Sequence, residues 1–267
     1  RALAQDLATE AAARIRDGSA PEVLEKAPGD WCSALDQAIE QHFRRRIAAA
    51  FPDHGFWGEE TGGQDDPASP DAQPFVWLVD PIDGSMNFLR GYPQYAVSIA
   101  LLRRGEPVVG CILDPVRGEM FSAQLGLGAT CNGRPIRAAP TSRLSQALAA
   151  TVFPKPRSPL MPGYLQELSA VLQGTAGLRR AGSMALELAY LAAGRIDVFW
   201  QRGMGAWDAA AGLLLIREAG ARLWCLDGQP WWQSGAMAAS VQGLEAEWHA
   251  LLTQAAAPAT DPSASRA

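Results

Sequence analysis

Apolar residues recur at helical spacing in two stretches near the start of the chain. The two stretches are residues 3–16 and 34–50, and Pro52 follows the second one. Because residues three and four positions apart lie on the same face of a helix, this spacing predicts two amphipathic helices. The segment 55–71 that comes next is rich in Gly, Pro, Asp and Ser. That composition predicts a turn followed by an exposed loop.

A strand pattern replaces the helical one at residues 75–79, which are all apolar. A continuous apolar run of this length is typical of a strand covered on both faces, and we expect it to end at Asp80. Two further strands are predicted at 96–102 and 108–113, joined as a hairpin by a loop of about five residues. Residues 119–123 are expected to add another strand.

Helix and strand patterns alternate in the second half of the chain, which is typical of α/β units. The predicted helices are 164–172, 184–193 and 208–219, and the predicted strand between the last two is 196–200. The stretch 139–163 is rich in Pro, Ser and Thr, so we expect a boundary near residue 140 between lobes 1–140 and 141–255. Residues 256–267 lack periodicity and are expected to form a flexible tail.

The composition narrows the function classes. Hydrophobic residues make up 48% and charged residues 19% of a 267-residue chain, enough for a sizeable core. A net charge of −5 argues against a nucleic-acid partner, which requires a basic surface. No apolar run approaches the roughly 18 residues that span a bilayer, and no signal-peptide pattern opens the chain. The four cysteines form no CxxC pair, so we expect reduced thiols in a cytoplasm rather than disulfides or a zinc cluster.

Two aspartates follow the first predicted strand. Asp80 and Asp83 leave this strand in a tight turn that Pro81 and Gly84 favour. Ligands bind at the carboxyl ends of strands in α/β sheets, and two acids three residues apart can converge on one cation, with the Ile82 carbonyl as a further oxygen ligand. The same segment also fits an Asp-Gly turn in which Asp83 or Ser85 caps a helix and Asp80 is exposed. The motif alone leaves both interpretations open.

Two other acidic elements accompany this motif. Glu59 and Glu60 lie in a Gly-Glu-Glu-Thr-Gly turn, where adjacent glutamates are usually just solvated. Asp208 follows Trp207 at the start of an Ala-rich helix, where a negative charge is favourable for structural reasons alone. The occurrence of all three elements in one chain favours a shared role in binding cations.

These elements carry a resemblance to a known family. The segments GEETG, WLVDPIDGSMNFLRGYPQYAVSIAL and GAWDAAAGLLLIREAGA are similar to the signature blocks of the inositol monophosphatase family. The resemblance implies a layered α-β-α-β-α sandwich of the inositol monophosphatase and fructose-1,6-bisphosphatase type. Its α+β lobe would carry Glu59 and the DPIDGS motif, its α/β lobe would carry WDAAAG and the substrate pocket, and the protein would be a homodimer.

The resemblance also implies a set of metal ligands for two or three Mg²⁺ ions. Glu59, Asp80 and the Ile82 carbonyl would hold the first ion, and Asp80, Asp83 and Asp208 the second. A third ion near Glu59 and inhibition by lithium are properties of several family members. The implied reaction is hydrolysis of a small phosphate monoester by in-line attack of a metal-activated water.

A hydroxyl and a carboxylate are implied to position that water. By similarity, Asp36 and Ser85 form this pair, so the implied catalytic residues are Glu59, Asp36 and Ser85. A structural role for Asp36 is the alternative, because it lies in the first turn of a helix for which Ser33 is a good N-cap. The backbone amides of Gly84 and Ser85 could also contact the phosphate.

The implied substrate pocket departs from the family pattern. The full set of implied substrate residues is Asp83, Gly84, Ser85, Gly182, Ser183, Met184, Gln201 and Asp208. Met184 stands where the family often has alanine, and Gln201 stands where inositol-hydrolysing relatives carry a glutamate. Replacing a charged acceptor by a neutral one costs about 1 kcal/mol of affinity. The leading substrate is myo-inositol 1-phosphate.

Two alternatives remain beside this substrate. The same chemistry could act on histidinol phosphate or on 3′-phosphoadenosine 5′-phosphate, whose recognition would use basic side chains such as Arg90, Arg179, Arg180 and Arg202. The chain could instead be mainly a regulatory binding protein of the same fold, attached to the transcription or translation machinery. The metal motifs do not separate these possibilities.

Overall fold

The computed structural model describes residues 1–17, 22–27, 30–62, 73–155 and 157–256. Its helices are α1 (Ala2–Asp17), α2 (Ala34–Ala50), α3 (Ser85–Leu89), α4 (Met161–Gly174), α5 (Met184–Ala192), α6 (Ala206–Glu218), α7 (Trp231–Ser234) and α8 (Glu245–Ala256). Its strands are β1 (Val23–Ala27), β2 (Asp30–Ser33), β3 (Gly55–Gly58), β4 (Phe75–Asp83), β5 (Ala96–Arg103), β6 (Glu106–Asp114), β7 (Glu119–Gln124), β8 (Ala129–Cys131), β9 (Arg134–Pro135), β10 (Leu148–Thr151), β11 (Gly177–Arg179), β12 (Val198–Gln201), β13 (Arg222–Cys225) and β14 (Met237–Ser240).

Both N-terminal helices are confirmed. Helix α1 buries Leu7 and Ile15, and α2 buries Ile39, Phe43 and Ile47, which are the apolar positions that predicted the two helices. None of the helices in the described ranges combines the length and the apolar character that crossing a membrane requires. The predicted tail at 256–267 lies beyond the described residues, apart from the last residue of α8.

The first sheet has seven strands in the order β3-β4-β5-β6-β7-β8-β9. Its edge strand β3 corrects the prediction of a turn and loop at 55–71, of which residues 63–71 lie outside the described ranges. Phe56 packs against the apolar cluster under α1 and α2, and Trp57 packs against the cluster on the opposite face. Two apolar residues on alternate faces are enough for an edge strand that pairs in parallel with β4.

Strand β4 is longer than the sequence predicted. It continues past Asp80 to Asp83 through an irregularity against β5, where Asp80 pairs with Ser98 and Asp83 pairs with Ala96. Pro81 lies inside this bulge, so its missing N–H removes no hydrogen bond from a regular ladder. The two aspartates therefore belong to the strand rather than to the turn after it.

The β5–β6 hairpin is also tighter than predicted. Arg103 pairs with Glu106, so the loop consists of Arg104 and Gly105 rather than of about five residues. Both loop residues have positive φ angles, 52° and 81°. Positive φ at both central positions is the geometry that two-residue hairpin loops use, because it matches the twist of the strands.

Helices α5 and α6 form a layer between the first sheet and a second one. Their residues share one apolar cluster with strands of both sheets. The packing is close enough to restrict side-chain size. A Cβ on Gly110 of β6 would lie 2.7 Å from the Ala211 carbonyl oxygen, and a Cβ on Gly212 would lie 2.5 Å from the Leu188 Cβ. Small residues thus bring α6 directly against β6 and α5.

The second sheet has five strands in the order β11-β10-β12-β14-β13. Helices α4 and α8 cover its outer face, where Tyr164, Trp200 and Trp248 are fully buried in a third cluster. The layers run α1/α2, first sheet, α5/α6, second sheet, α4/α8, which is the predicted α-β-α-β-α sandwich. Residue 140, where the sequence predicts a boundary between lobes, lies between β9 and β10; that division stays a prediction.

Candidate active site

Three acids from distant parts of the chain meet between the layers. Glu59 follows β3, Asp80 lies in β4 and Asp208 lies in the first turn of α6. One carboxylate oxygen from each residue lies within 4.8 Å of the others. Asp80 is buried, and Glu59 and Asp208 are partly exposed as residues, although the carboxyl group of Asp208 is itself shielded from water. The sequence predicted these three residues as metal ligands, and the fold brings them together.

The close approach of these carboxylates favours the binding of a positive charge between them. Burial raises the pKa of Asp80 and of Asp208 well above the usual range, and the nearby Glu59 carboxylate raises both pKa values further. Among the described residues, the group contains carboxylates alone, with neither His nor Cys. Oxygen donors of this kind suit hard cations such as Mg²⁺ or Ca²⁺, so the donor set fits the metal that the family resemblance implies.

Asp208 is held by its own helix. Helix α6 begins at Ala206, two residues earlier than predicted, so Asp208 is the third helical residue. Its Oδ2 accepts a hydrogen bond of 3.1 Å from the Gly205 N–H. Trp207 packs edge-on against Trp57, with ring centroids 5.9 Å apart. That contact joins the start of α6 to β3, which leads into Glu59.

Asp83 has a different environment from the other predicted ligands. It lies outside the group of three acids that the described residues form. Its Oδ2 accepts a hydrogen bond of 2.5 Å from the Ser183 hydroxyl and one of 2.7 Å from the Ala185 N–H. Burial raises the pKa of Asp83 to about 6, against the lowering effect of these hydrogen bonds. One oxygen of Asp83 is thus committed to the start of α5.

The predicted water-positioning pair is in contact. The Ser85 hydroxyl lies 3.1 Å from Asp36 Oδ1 and 2.9 Å from the Ile82 carbonyl oxygen. Because the hydroxyl has a single proton, it can donate fully to only one of these acceptors. The other oxygen of Asp36 accepts the Ser33 N–H at 3.0 Å and the Ser33 hydroxyl. Asp36 therefore combines the two predicted roles. One carboxylate oxygen caps the start of α2 through Ser33, and the other contacts the Ser85 hydroxyl.

The predicted phosphate and substrate segments face each other. Gly84 and Gly182 both have positive φ angles, 95° and 92°, and a Cβ on Gly84 would lie 3.1 Å from the Gly182 carbonyl oxygen. Glycine is needed at Gly84 for both reasons. Ser183 is the N-cap of α5, and Met184 is buried in the middle layer. The segment before α5 thus lies directly against the DPIDGS turn.

Gln201 ends strand β12 and is 3% exposed. Its Oε1 lies 3.4 Å from the Thr151 hydroxyl, which is also 2.7 Å from the Tyr164 hydroxyl. Its Nε2 donates a hydrogen bond of 3.3 Å to the Arg202 carbonyl. Both bonds of Gln201 are long, so its amide is held weakly by its own surroundings.

Two polar residues near this site, the buried Glu40 and the partly exposed Asn87, were missed by the sequence prediction. Glu40 is fully buried and bonds to the turn that carries Glu59. Asn87 donates hydrogen bonds to the carbonyls of Gln94 and Ala181, at 2.7 and 2.8 Å. A signal existed for Glu40, because it lies four residues after Asp36 on the face that α2 buries. Asn87 lay inside the recognised motif without an assigned role.

The fold is a layered α/β sandwich that brings together three acids suited to a hard cation. The sequence matches the model of the inositol monophosphatase family over residues 1–260. The chain belongs to this family.

Relatives of the chain carry two kinds of name. The inositol-1-monophosphatase of Rhizobium meliloti is 43% identical over 208 residues, which cover 78% of this chain and 76% of that protein. The Nus factor SuhB of Xylella fastidiosa is 42% identical over 199 residues, covering 74% of this chain and 70% of that protein. The family is therefore shared by proteins named for a hydrolytic activity and proteins named for another role.

Solved structures show the same fold. The extragenic suppressor protein suhB from Bartonella henselae has a TM-score of 0.86 and 35% identity, with 94% of this chain and 97% of that chain covered. The inositol monophosphatase from Anabaena (Nostoc) sp. has a TM-score of 0.83 and 34% identity, with 94% of each chain covered. This agreement confirms the predicted sandwich.

Proposed function

We propose that this chain is a Mg²⁺-dependent phosphatase that hydrolyses a small phosphate monoester, with myo-inositol 1-phosphate as the first candidate substrate. The observation that carries the proposal is the group of three acids, Glu59, Asp80 and Asp208, whose oxygens lie within 4.8 Å of one another between the layers. Membership of the inositol monophosphatase family supports the reaction class.

The proposed ligands of the first Mg²⁺ are Glu59, Asp80 and the Ile82 carbonyl, and those of the second are Asp80, Asp83 and Asp208. Bound cations would supply Lewis-acid charge that stabilises the phosphoryl group and makes a nearby water more acidic. For Asp83 this role leaves Oδ1, because Oδ2 already accepts two hydrogen bonds. The number of ions, two or three, is part of the proposal.

In this proposal Ser85 and Asp36 orient the attacking water. The Ser85 oxygen accepts a hydrogen bond from the water while its hydroxyl donates to Asp36 Oδ1, 3.1 Å away. Burial raises the pKa of Asp36, which makes this carboxylate a better proton acceptor than an exposed aspartate. Asp36 is itself held by Ser33, so the pair is oriented before substrate binds.

We assign the substrate contacts to residues at the junction of the layers. The backbone amides of Gly84 and Ser85 face the phosphate, and the segment Gly182, Ser183 and Met184 lines the organic part. Gln201 accepts a hydrogen bond from a substrate hydroxyl, for which its weakly held amide supports the assignment. A neutral acceptor there lowers selectivity for a polyol compared with a glutamate.

A phosphate-release assay tests the proposal. Purified chain is supplied with myo-inositol 1-phosphate, histidinol phosphate, 3′-phosphoadenosine 5′-phosphate and fructose 1,6-bisphosphate, each with Mg²⁺ and with EDTA. We expect Mg²⁺-dependent release, fastest from inositol phosphate, and release that is slower by about 10³-fold with Asp208→Asn. Preference for another monoester would move the assignment to a different substrate, and release that is equal in EDTA would contradict the mechanism.

A second candidate function rests on relatives that carry the name Nus factor SuhB. The one from Xylella fastidiosa is 42% identical to this chain over 199 residues. In this alternative the chain is mainly a binding protein of the transcription machinery. A variant such as Asp208→Asn separates the two functions in cells that lack the gene. Full complementation by the inactive variant would support the binding role, and failure to complement would support the hydrolytic one.

Three further properties concern the oligomeric state, the cellular location and the inhibition of the protein. We propose a homodimeric protein of the cytoplasm that is inhibited by lithium. Light scattering coupled to gel filtration measures the mass, and lithium titration at fixed Mg²⁺ measures the inhibition.

A further inference from the structure

The turn that carries Glu59 closes around the side chain of another acid. Glu40, in the second turn of α2, is 0% exposed. Its Oε2 accepts a hydrogen bond of 2.8 Å from the Glu60 N–H. Its Oε1 accepts one of 2.9 Å from the Thr61 N–H and one of 2.5 Å from the Thr61 hydroxyl. Three donors of one turn therefore converge on a single buried carboxylate.

The backbone of this turn is shaped to admit the carboxylate. Gly58 and Gly62 pair with each other across the turn, at 3.4 and 3.0 Å. A Cβ on Gly58 would lie 2.2 Å from Glu40 Cδ and 2.4 Å from both of its oxygens. Any other residue at Gly58 would collide with Glu40. The contact with Glu40 thus explains Gly58 and Thr61 of the Gly-Glu-Glu-Thr-Gly sequence.

Helix α2 contacts the candidate site at two places on the same face. Asp36 and Glu40 are four residues apart, which is one helical turn. Asp36 contacts Ser85, and Glu40 contacts the residues that follow Glu59. On its other side the turn is fixed to β4, because the Glu59 N–H donates to the Val79 carbonyl at 3.2 Å. One rigid helix therefore sets the distance between the two segments.

We propose that Glu40 is a positioning residue that holds Glu59 in place as a metal ligand. The inference rests on the proposed metal site and adds a residue to it. Carboxylates around a metal site act by fixing the orientation of its ligands, and their loss typically costs 10- to 100-fold in metal affinity. Hydrogen bonds to a charged acceptor are about twice as strong as neutral ones, so Glu40 is suited to this role.

The test compares direct metal binding by four purified variants. Isothermal titration with Mn²⁺, without substrate, reports binding apart from catalysis, and circular dichroism checks folding. Glu40→Gln keeps the shape but turns one acceptor into a donor, so we expect Mn²⁺ affinity to fall about 10-fold or more. Thr61→Val removes the hydroxyl that donates to Glu40 and that also accepts a hydrogen bond of 2.7 Å from Arg44, and we expect a smaller loss in the same direction.

Two further variants make the outcome specific. Glu10→Gln is the matched control, because Glu10 also contacts α2 but does so at His42 and Arg46, away from the turn. We expect it to bind Mn²⁺ like the unmodified chain. Glu59→Gln measures the loss that follows from removing the proposed ligand itself.

The variants distinguish failure of the inference from failure of the proposed function. If Glu59→Gln binds Mn²⁺ normally, the proposed metal site is wrong. If Glu59→Gln is impaired while a folded Glu40→Gln binds normally, the positioning role is wrong. If Glu40→Gln does not fold, Thr61→Val decides, and unchanged Mn²⁺ affinity of that variant would overturn the inference.

Discussion

The Ser183 hydroxyl donates a hydrogen bond of 2.5 Å to Asp83 Oδ2, although the two residues are 100 positions apart in the sequence. The Ala185 N–H donates to the same oxygen at 2.7 Å. Asp83 therefore fastens the end of β4 to the beginning of α5. The same carboxylate is the one that we propose as a metal ligand through its other oxygen.

This double role predicts how Asp83→Asn and Asp208→Asn differ. Both substitutions remove the charge of a proposed ligand, and we expect each to lower kcat/KM by about 10³-fold, because a metal ion contributes several kcal/mol to the transition state. Asp83→Asn should also lower the free energy of unfolding by about 1 to 2 kcal/mol, since a neutral amide oxygen accepts the Ser183 and Ala185 donors more weakly than a carboxylate oxygen does. Urea denaturation in EDTA measures the second effect.

Ser183→Ala is the control for that comparison. It removes one donor to Asp83 and leaves the carboxylate, so we expect a stability loss without a loss of Mg²⁺ binding. Mg²⁺-independent turnover by Asp83→Asn would contradict the proposed mechanism.

Metal should stabilise the folded chain, because it neutralises buried carboxylates that repel one another. At a Mg²⁺ concentration about 100 times its Kd we expect a gain of about 2.7 kcal/mol in the free energy of unfolding. Asp208→Asn should be at least as stable as the unmodified chain in EDTA, since it removes one of the repelling charges, and should gain little from Mg²⁺. Urea titrations with and without Mg²⁺ measure both effects, and an equal gain in both proteins would be inconsistent with the site.

The contact between Ser85 and Asp36 predicts a requirement for the hydroxyl. We expect Ser85→Ala to lower kcat by about 10²-fold, the usual contribution of a group that transfers a proton, with little change in KM. Ser85→Thr keeps the hydroxyl and should keep most of the activity. Steady-state kinetics at saturating Mg²⁺ check this, and a normal kcat for Ser85→Ala would exclude the pair from the reaction.

Replacing the neutral side chain of Gln201 by a charged one should change the substrate preference. We expect Gln201→Glu to lower the KM for myo-inositol 1-phosphate about five-fold, which corresponds to the extra strength of roughly 1 kcal/mol in a charge-assisted hydrogen bond. The KM for a monoester without ring hydroxyls should not improve. Equal changes for both substrates would place Gln201 outside the substrate pocket.

The raised pKa of Glu187 predicts that the free energy of unfolding depends on pH. This residue of α5 is 1% exposed, and burial raises its pKa from 4.5 to about 7. Because the folded chain holds the proton more tightly than the unfolded chain, the stabilisation is complete below about pH 4.5 and is lost as the pH rises to about 7. The loss is on the order of 3 kcal/mol.

Glu187→Gln should remove this part of the pH dependence. Its side-chain oxygen can still accept the Ala181 N–H, which bonds to Glu187 at 3.1 Å. Urea midpoints of both proteins between pH 5 and 8, with Mg²⁺ present, measure the difference. Parallel curves would show that another group causes the dependence.

Much of the layered fold could be predicted because its elements have a single dominant pattern. The helical spacing of 3–16 and 34–50 gives α1 and α2, and the apolar run at 75–79 gives the centre of β4. Strand β3 was missed because only Phe56 and Trp57 distinguish it from the turn residues around it. The bulge that extends β4 to Asp83 depends on pairing with β5, which local sequence does not reveal.

The candidate site was also predicted only in part from the sequence. The motifs identified Glu59, Asp80 and Asp208, and these acids do converge. The commitment of Asp83 to Ser183 could not be predicted, because it depends on how α5 packs against the end of β4. The spacing from Asp36 placed Glu40 on the buried face of α2, but its role could not be predicted, because its hydrogen-bond partners lie in another element.

The order of the three acids along the chain governs when the acidic group can exist. Glu59 directly follows β3 and Asp80 lies in β4, both of the first sheet, whereas Asp208 lies on α6, which follows three of the five strands of the second sheet in sequence. During synthesis, a ribosome completes the first sheet well before it releases the last member of the group. A truncated chain that ends before α6 has two of the acids and lacks the third, so a cation that needs all three can bind only after α6 has been made.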